Sequence, residues 1–172
     1  MAHVIAEFSA KEAMGRTVTE MAARVPGEHH LVTTHALDGQ DAFAGVHEIG
    51  GALETFPLGR SDELREALRR IGPDLVHLHA GALGPFLALL PVLRPYPKLL
   101  TAYAWPTLPG PGAWRRATVS EMRASNVLRA RVLVTTVLPV PLAAAALRRA
   151  GVTTVLTPDP RVADRLGPAG VA

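Results

Sequence analysis

Two histidines separated by a single residue, His77 and His79, stand inside an otherwise apolar stretch, GPDLVHLHAGALGPFLALLP, running from Gly72 to Pro91. Histidine can ligate a metal, exchange a proton near neutral pH, or fill a buried strand while making one or two hydrogen bonds. If the segment is a strand, both rings project to the same side, because side chains repeat there with a period of two. That geometry alone leaves all three readings open. A metal would need a third ligand nearby, and an H-x-H by itself makes a poor site, so no metal is expected. His77 is expected as a hydrogen-bonded core histidine.

The elements that must position such a pair follow from composition and patterning. The chain has 172 residues, of which 48% are apolar and 19% charged, with no low-complexity segment. That describes one domain, residues 1–172, large enough to build a real core. The sequence contains no cysteine, which excludes disulfides, thiolate metal sites and cysteine nucleophiles and fits a cytoplasmic chain. The opening MAHVIAEFSAKEAMG lacks the basic flank of a signal peptide. The apolar runs Ala80 to Leu93 and Val132 to Leu147 are too short to span a bilayer and are broken by prolines. Basic residues exceed acidic ones by 18 to 15, an excess too small to require a nucleic-acid partner. The densest basic cluster is Arg115, Arg116, Arg123, Arg129 and Arg131, which reads as a solvated helix face or an anionic-surface contact.

Along the chain, strands and helices alternate. HVIAEFS (His3 to Ser9) reads as a strand, and Val18, Met21, Ala22 and Val25 recur at helical spacing until Pro26 and Gly27. HHLVTTHA (His29 to Ala36) and GVHEIG (Gly45 to Gly50) read as strands. Ser61 caps a helix whose Leu64, Leu68 and Ile71 share a face and which Gly72 and Pro73 end. DLVHLHA then forms a strand, GALGPFLALLPVLRP a proline-bounded helix and KLLTAYA another strand. Beyond a loop come a helix from Ala113 to Ser125, the strand RVLVTTVLP, the helix PLAAAALRRAG and the strand VTTVLTP. Asp159 and Pro160 open a last helix that turns Val162, Ala163 and Leu166 inward. Such alternation packs as an α/β fold, a Rossmann-like doubly wound, mostly parallel sheet with helices on both faces.

In that architecture ligands bind outside the carboxyl ends of the strands. The rule selects the loop Phe8 to Arg16, the turn His79 to Gly81, the segment Tyr103 to Pro106, and the turns Leu138 to Pro141 and Thr157 to Asp159. No G-x-G-x-x-G follows the first strand and no Walker loop is present, which removes the usual support for dinucleotides and nucleoside triphosphates.

PDLVHLHAGALGPFLALL resembles the P-D-[VI]-[VI]-H-x-H strand and following helix of the N-terminal domain in GT-B glycosyltransferases, particularly the large retaining family 4. Three neighbouring segments agree. KLLTAYAWP is similar to the next strand of that family, VTTVLTPDPRVADRLGPAGV to a later strand-to-helix unit, and AMGRTVTEMAARV occupies the place of the family's glycine loop. The resemblance covers essentially the whole chain.

What the resemblance implies is specific. Gly15 matches the glycine loop that approaches the diphosphate of a nucleotide-sugar donor, with Met14 where the family commonly has a second glycine and Arg16 beside it as added charge. His79 and Gly81 would line the acceptor cleft, and Trp105 would offer an apolar face for a sugar or aromatic acceptor. Tyr103 takes the place of a catalytic histidine. Tyrosine is a much weaker proton acceptor at neutral pH, so the leaving diphosphate is expected to take the acceptor proton while Tyr103 donates a hydrogen bond. The reaction implied is retaining transfer of a hexosyl unit from a nucleotide-diphosphate sugar to a hydroxyl on a small-molecule or glycan acceptor, with no further cofactor. The donor-binding C-terminal domain, with its E-x7-E pair, is expected to be absent from this chain, which alone would not turn over. An apolar edge left by that domain predicts self-association. A noncatalytic binding domain that keeps the fold is the alternative, supported by Tyr103 and Met14. A flavodoxin-like regulator is a third, weakened by the lack of an acidic cluster after the first strand.

Overall fold

The computed structural model describes residues 1–49, 61–81, 89–103, 140–152 and 154–167. In chain order the strands are β1 (Ala2–Ile5), β2 (Glu7–Ser9), β3 (His30–Thr33), β4 (His35–Asp38), β5 (Gly45–Glu48), β6 (Val76–Ala80), β7 (Lys98–Ala102) and β8 (Val155–Leu156). The helices are α1 (Ala13–Arg24), α2 (Ser61–Ile71), α3 (Leu90–Leu93), α4 (Val140–Arg149) and α5 (Pro160–Leu166), with a 3₁₀ turn at Gln40–Ala42. Six strands form one sheet in the order β5-β3-β1-β6-β7-β8, and every neighbouring pair is parallel. The fold is therefore α/β with a parallel six-stranded sheet flanked by helices, compatible with a Rossmann-like fold.

Two strands foreseen as continuous are each broken. The segment His3 to Ser9 divides at Ala6 into β1 and β2, and His29 to Ala36 divides at Thr34 into β3 and β4, so that β2 and β4 form a separate parallel pair. The cause is local hydrogen bonding. The Ala6 carbonyl accepts the Thr34 N–H at 3.0 Å and the Thr33 hydroxyl at 3.1 Å, as well as the Thr34 hydroxyl. Threonine hydroxyls offer the backbone an alternative to the ladder, and here they bend both strands at the same level. Of the helix foreseen for residues 81–95 the described part shows α3, and of the strand VTTVLTP it shows the two residues of β8; residues 82–88 and 153 and the elements foreseen for 113–125 and 131–139 lie outside the described residues.

α2 forms as its sequence dictates: Asp62 and Glu63 sit in its first turn and Arg69 and Arg70 in its last, complementing the helix dipole. Leu64 and Leu68 are fully buried, and Gly72 ends the helix at φ 60°, a left-handed conformation that favours glycine. At α5 the Asp159 carboxylate accepts the Arg161 N–H at 3.0 Å, with Pro160 at the first helical position. Loss of such a cap costs about 1 kcal/mol. We expect Asp159→Ala to lower the unfolding free energy by about 1 kcal/mol, read as a lower urea midpoint at an unchanged slope, and an unaltered midpoint would mean that the cap contributes nothing.

The two faces of the sheet differ in chemistry. On one, Val4, Val32, Leu78 and Leu100 pack with side chains of α2, α3, α4 and α5 in a continuous apolar core. On the other, Ile5 and Leu31 pack with Phe8, Phe43 and Val18 of α1. The centre of this second face, where β1, β6 and β7 run side by side, carries His3, His77, His79 and Thr101, all buried.

Candidate functional site

Parallel pairing brings the histidines together. His3 is in register with His77, Ile5 with His79, and His79 with Thr101, so residues of like parity on three strands share one face. A linear set of hydrogen bonds joins them. The Tyr103 hydroxyl lies 3.3 Å from His79 Nδ1, His79 Nε2 lies 3.1 Å from His3 Nδ1, His3 Nε2 lies 2.8 Å from His29 Nδ1, and His29 Nε2 lies 2.9 Å from the Val25 carbonyl.

One end of this chain fixes the rest. A carbonyl can only accept, so His29 donates from Nε2, and as a neutral ring it then accepts at Nδ1. His3 must then donate from Nε2 and accept at Nδ1, His79 must donate from Nε2, and Tyr103 donates its hydroxyl proton to His79 Nδ1. In that arrangement His3 and His79 are neutral rings. Electrostatics agree: burial first, then His77, His29 and the N-terminal ammonium, lower the pKa of His3 to about 3. Burial lowers that of His77 to about 4. His79 is held well below its usual value by burial and by His77 and His3.

His77 stands beside this series. Its Nε2 lies 2.7 Å from the Thr101 hydroxyl, whereas its Nδ1 is buried with no hydrogen-bond partner among the described residues. Its ring lies against that of His79, tilted by 33° with centroids 3.9 Å apart. An unsatisfied buried polar atom costs on the order of 1–3 kcal/mol, and nothing apolar about the pattern D-L-V-H-L-H requires this histidine.

At the carboxyl ends of β6 and β7 this histidine core meets α1. Tyr103 is half-buried; burial raises its pKa, and a hydrogen bond with the Thr17 side chain works the other way. No side chain caps the start of α1, and its first turn carries no acidic residue. Gly15 is buried there against β2, so close that a Cβ would stand 1.9 Å from the Ser9 carbonyl oxygen. The Ser9 turn is itself held by Asp38, whose carboxylate accepts the Ala10 N–H at 2.6 Å and the Ser9 hydroxyl at 3.2 Å, with Lys11 Nζ 3.4 Å away. Desolvation pushes the Asp38 pKa up, but the Ala10 N–H and Lys11 outweigh it and hold the carboxyl below its ordinary range.

The residues singled out from sequence are therefore partly assembled. His79 and Tyr103 touch, and Thr17 of α1, one residue beyond Arg16, lies close enough to Tyr103 to act on its titration, while its own hydroxyl proton goes to the Ala13 carbonyl at 3.0 Å. Arg16 is exposed, and Met14 is half-buried against the Phe8 cluster. Gly81 is exposed, with none of the described residues within 4 Å of a Cβ placed there, and Trp105 lies outside the described residues. Sequence reasoning missed His3, His29, Thr17 and Thr101. His3 and His29 both lay in or beside segments read as strands, but only the register reveals that they meet His79.

Two surface cavities lie elsewhere. One of about 540 Å³ runs between α3 and α4, lined by Leu90, Pro91, Leu142 and the arginines Arg94 and Arg149. Another of about 450 Å³ lies between β5 and α2, beside His47, Glu48, Glu66 and Arg70. Neither contains a residue of the histidine core. No described helix is long and apolar enough to cross a membrane. Compared with known proteins, the chain matches no family model and no curated protein sequence.

Proposed function

We propose that this chain is the N-terminal, acceptor-side domain of a retaining glycosyltransferase similar to the GT-B family 4 enzymes, built as a doubly wound sheet. The observation that carries the reading is the convergence of α1 with His79 and Tyr103 at the carboxyl ends of β6 and β7. Next to β6 lies β1, from which the chain proceeds to β3 on one side and, after β5, crosses to β6 on the other. Ligands of such sheets bind at the place where the strand order reverses. The uncapped start of α1, with Arg16 exposed beside it, suits an anionic diphosphate.

In this reading Tyr103 is a positioning group and no base. Its proton is committed to His79, so the phenol oxygen presents lone pairs to the acceptor hydroxyl and orients it. The leaving diphosphate takes the acceptor proton as the hexosyl bond forms. The nucleotide and most of the donor would be held by the C-terminal domain of a GT-B fold.

A second reading, a noncatalytic binding domain on the same fold, has its own support. Gly15 is accounted for by its packing on Ser9, and Met14 by its contact with the apolar cluster. Inorganic pyrophosphate separates the two. If the glycosyltransferase reading holds, pyrophosphate titration followed by backbone amide NMR will move the resonances of Ala13 to Thr17 and of Tyr103. Arg16→Glu will weaken that binding roughly tenfold, the loss of one charge-assisted contact worth about 1.4 kcal/mol. Unmoved resonances across α1 would leave the binding-domain reading.

A further inference from the structure

We propose that His3, His77 and His79 form a three-imidazole site for a divalent transition-metal ion, joining β1 to β6 in the middle of the sheet. One ring nitrogen from each of the three lies within 4.8 Å of those of the other two. His3 Nδ1 and His79 Nε2 are 3.1 Å apart, near the roughly 3.3 Å that separates two nitrogens bound tetrahedrally at about 2.0–2.1 Å from zinc.

The surroundings match what imidazole ligands require. A ligating histidine uses one ring nitrogen for the metal and engages the other in an outer hydrogen bond that fixes ring and tautomer. Here His3 is held by His29, His77 by Thr101 and His79 by Tyr103. The nitrogen left to His77 is Nδ1, fully buried and without a partner among the described residues. A lone pair in that position has nothing else to serve. All three residues have 0% of their surface exposed, so water competes poorly for the site.

The donor set selects the ion. Three neutral imidazoles without thiolate or carboxylate suit Zn²⁺, Co²⁺, Ni²⁺ or Cu²⁺ and disfavour Mg²⁺ and Ca²⁺. Binding requires one rearrangement. His79 must free Nε2, so one proton leaves that nitrogen and one joins Nδ1, which then donates to the Tyr103 oxygen, with no net proton released. Three protein ligands leave a fourth position for water or hydroxide. This inference does not rest on the glycosyltransferase reading, and metal binding would reverse the Tyr103–His79 hydrogen bond used there, leaving the Tyr103 proton free to be donated elsewhere.

Co²⁺ is the probe, because a tetrahedral site gives it intense visible absorption. The untagged, chelator-treated protein is titrated with Co²⁺ both folded and during refolding from urea, since a buried site can be slow to load. Visible bands saturating at one equivalent are expected for the wild type. They are also expected for His47→Ala, which removes the competing pair in which His47 Nε2 lies 3.4 Å from His30 Nδ1. The bands should vanish in His77→Ala and His79→Ala. Thr101→Val, nearly isosteric, keeps all three ligands and should weaken Co²⁺ roughly 10–100-fold by releasing the His77 ring. Wild-type protein that shows no band by either route overturns the proposal, as does a band that survives in a folded His77→Ala variant. Should the alanine variants fail to fold, unchanged Co²⁺ affinity in folded Thr101→Val overturns it as well.

Discussion

Acidification below neutral pH is expected to unfold this protein well before its carboxylates begin to protonate. His3 and His77 are buried as neutral rings, with pKa values lowered to about 3 and about 4, and His79 is also held well below its usual value by burial and by His77 and His3. In the unfolded chain each returns to about 6.5. Between the unfolded and folded values the unfolded state binds more protons, so stability falls as pH falls. The contribution is complete above about pH 6.5 and is withdrawn progressively down toward the folded values. At about 1.4 kcal/mol per unit for each ring, two or three such rings withdraw several kcal/mol, comparable with the whole 5–15 kcal/mol typical of a domain.

Carboxylates cannot imitate this window. Asp and Glu titrate near 4 in the unfolded chain, so a loss of stability between about pH 6.5 and pH 5 belongs to histidine. Urea unfolding at a series of pH values, with a chelator present so that no bound cation contributes, measures it. The midpoint should drop steadily across that window with little change in slope. A flat midpoint from pH 7 to about pH 5 would show that the histidine core is solvated or already charged, contrary to the burial of neutral His3, His77 and His79.

The second large effect is at Gly15. Replacing glycine by alanine within a helix ordinarily stabilises by up to about 1 kcal/mol, so propensity alone predicts a gain. Sterics reverse the sign. A Cβ on Gly15 would lie 1.9 Å from the Ser9 carbonyl oxygen and 2.6 Å from its carbon. These are backbone atoms, and they are held in place: the Ser9 carbonyl accepts the Glu12 N–H at 3.1 Å, and Asp38 grips both Ser9 and Ala10. α1 would have to withdraw, loosening Val18 in the Phe8 cluster and Thr17 from Tyr103. Overpacking of this kind costs typically 1–3 kcal/mol, and the rigid neighbour puts Gly15→Ala at or above the upper end.

Thermal unfolding should show a fall of about 6–12 °C for Gly15→Ala, given roughly 2–4 °C per kcal/mol in a chain this long. Gly81→Ala is the internal control, because a Cβ there meets none of the described residues within 4 Å, and its melting temperature should stay close to that of the wild type. A Gly15→Ala protein as stable as its parent would mean that α1 does not pack on the Ser9 turn as described.

The legible and illegible parts of the site divide along a physical line. His77 and His79 were recognisable as same-face residues because strand periodicity is a local property, and both do share a face. The cap at Asp159 and the stop at Gly72 were legible for the same reason, since caps and turns are made by residues close in sequence. His3 and His29 were not recognised, because they reach His79 across 76 and, through His3, 26 residues of chain. No local pattern marks a partner at that distance. The breaks at Ala6 and Thr34 were missed because they depend on hydroxyls of one strand reaching a carbonyl of its neighbour.

The sequence by itself determined the α/β class: alternating apolar periods force crossover helices, and crossovers force parallel strands. It also determined that the second strand-and-helix half would carry paired histidines on one face. Only the tertiary structure decided what those histidines became. Register between β1 and β6 set His3 opposite His77 and beside His79, and the Val25 carbonyl set the direction of every proton in the series. Pairing of distant strands is fixed by the summed packing of two sheet faces, a quantity spread over the whole chain and written in no single stretch of it.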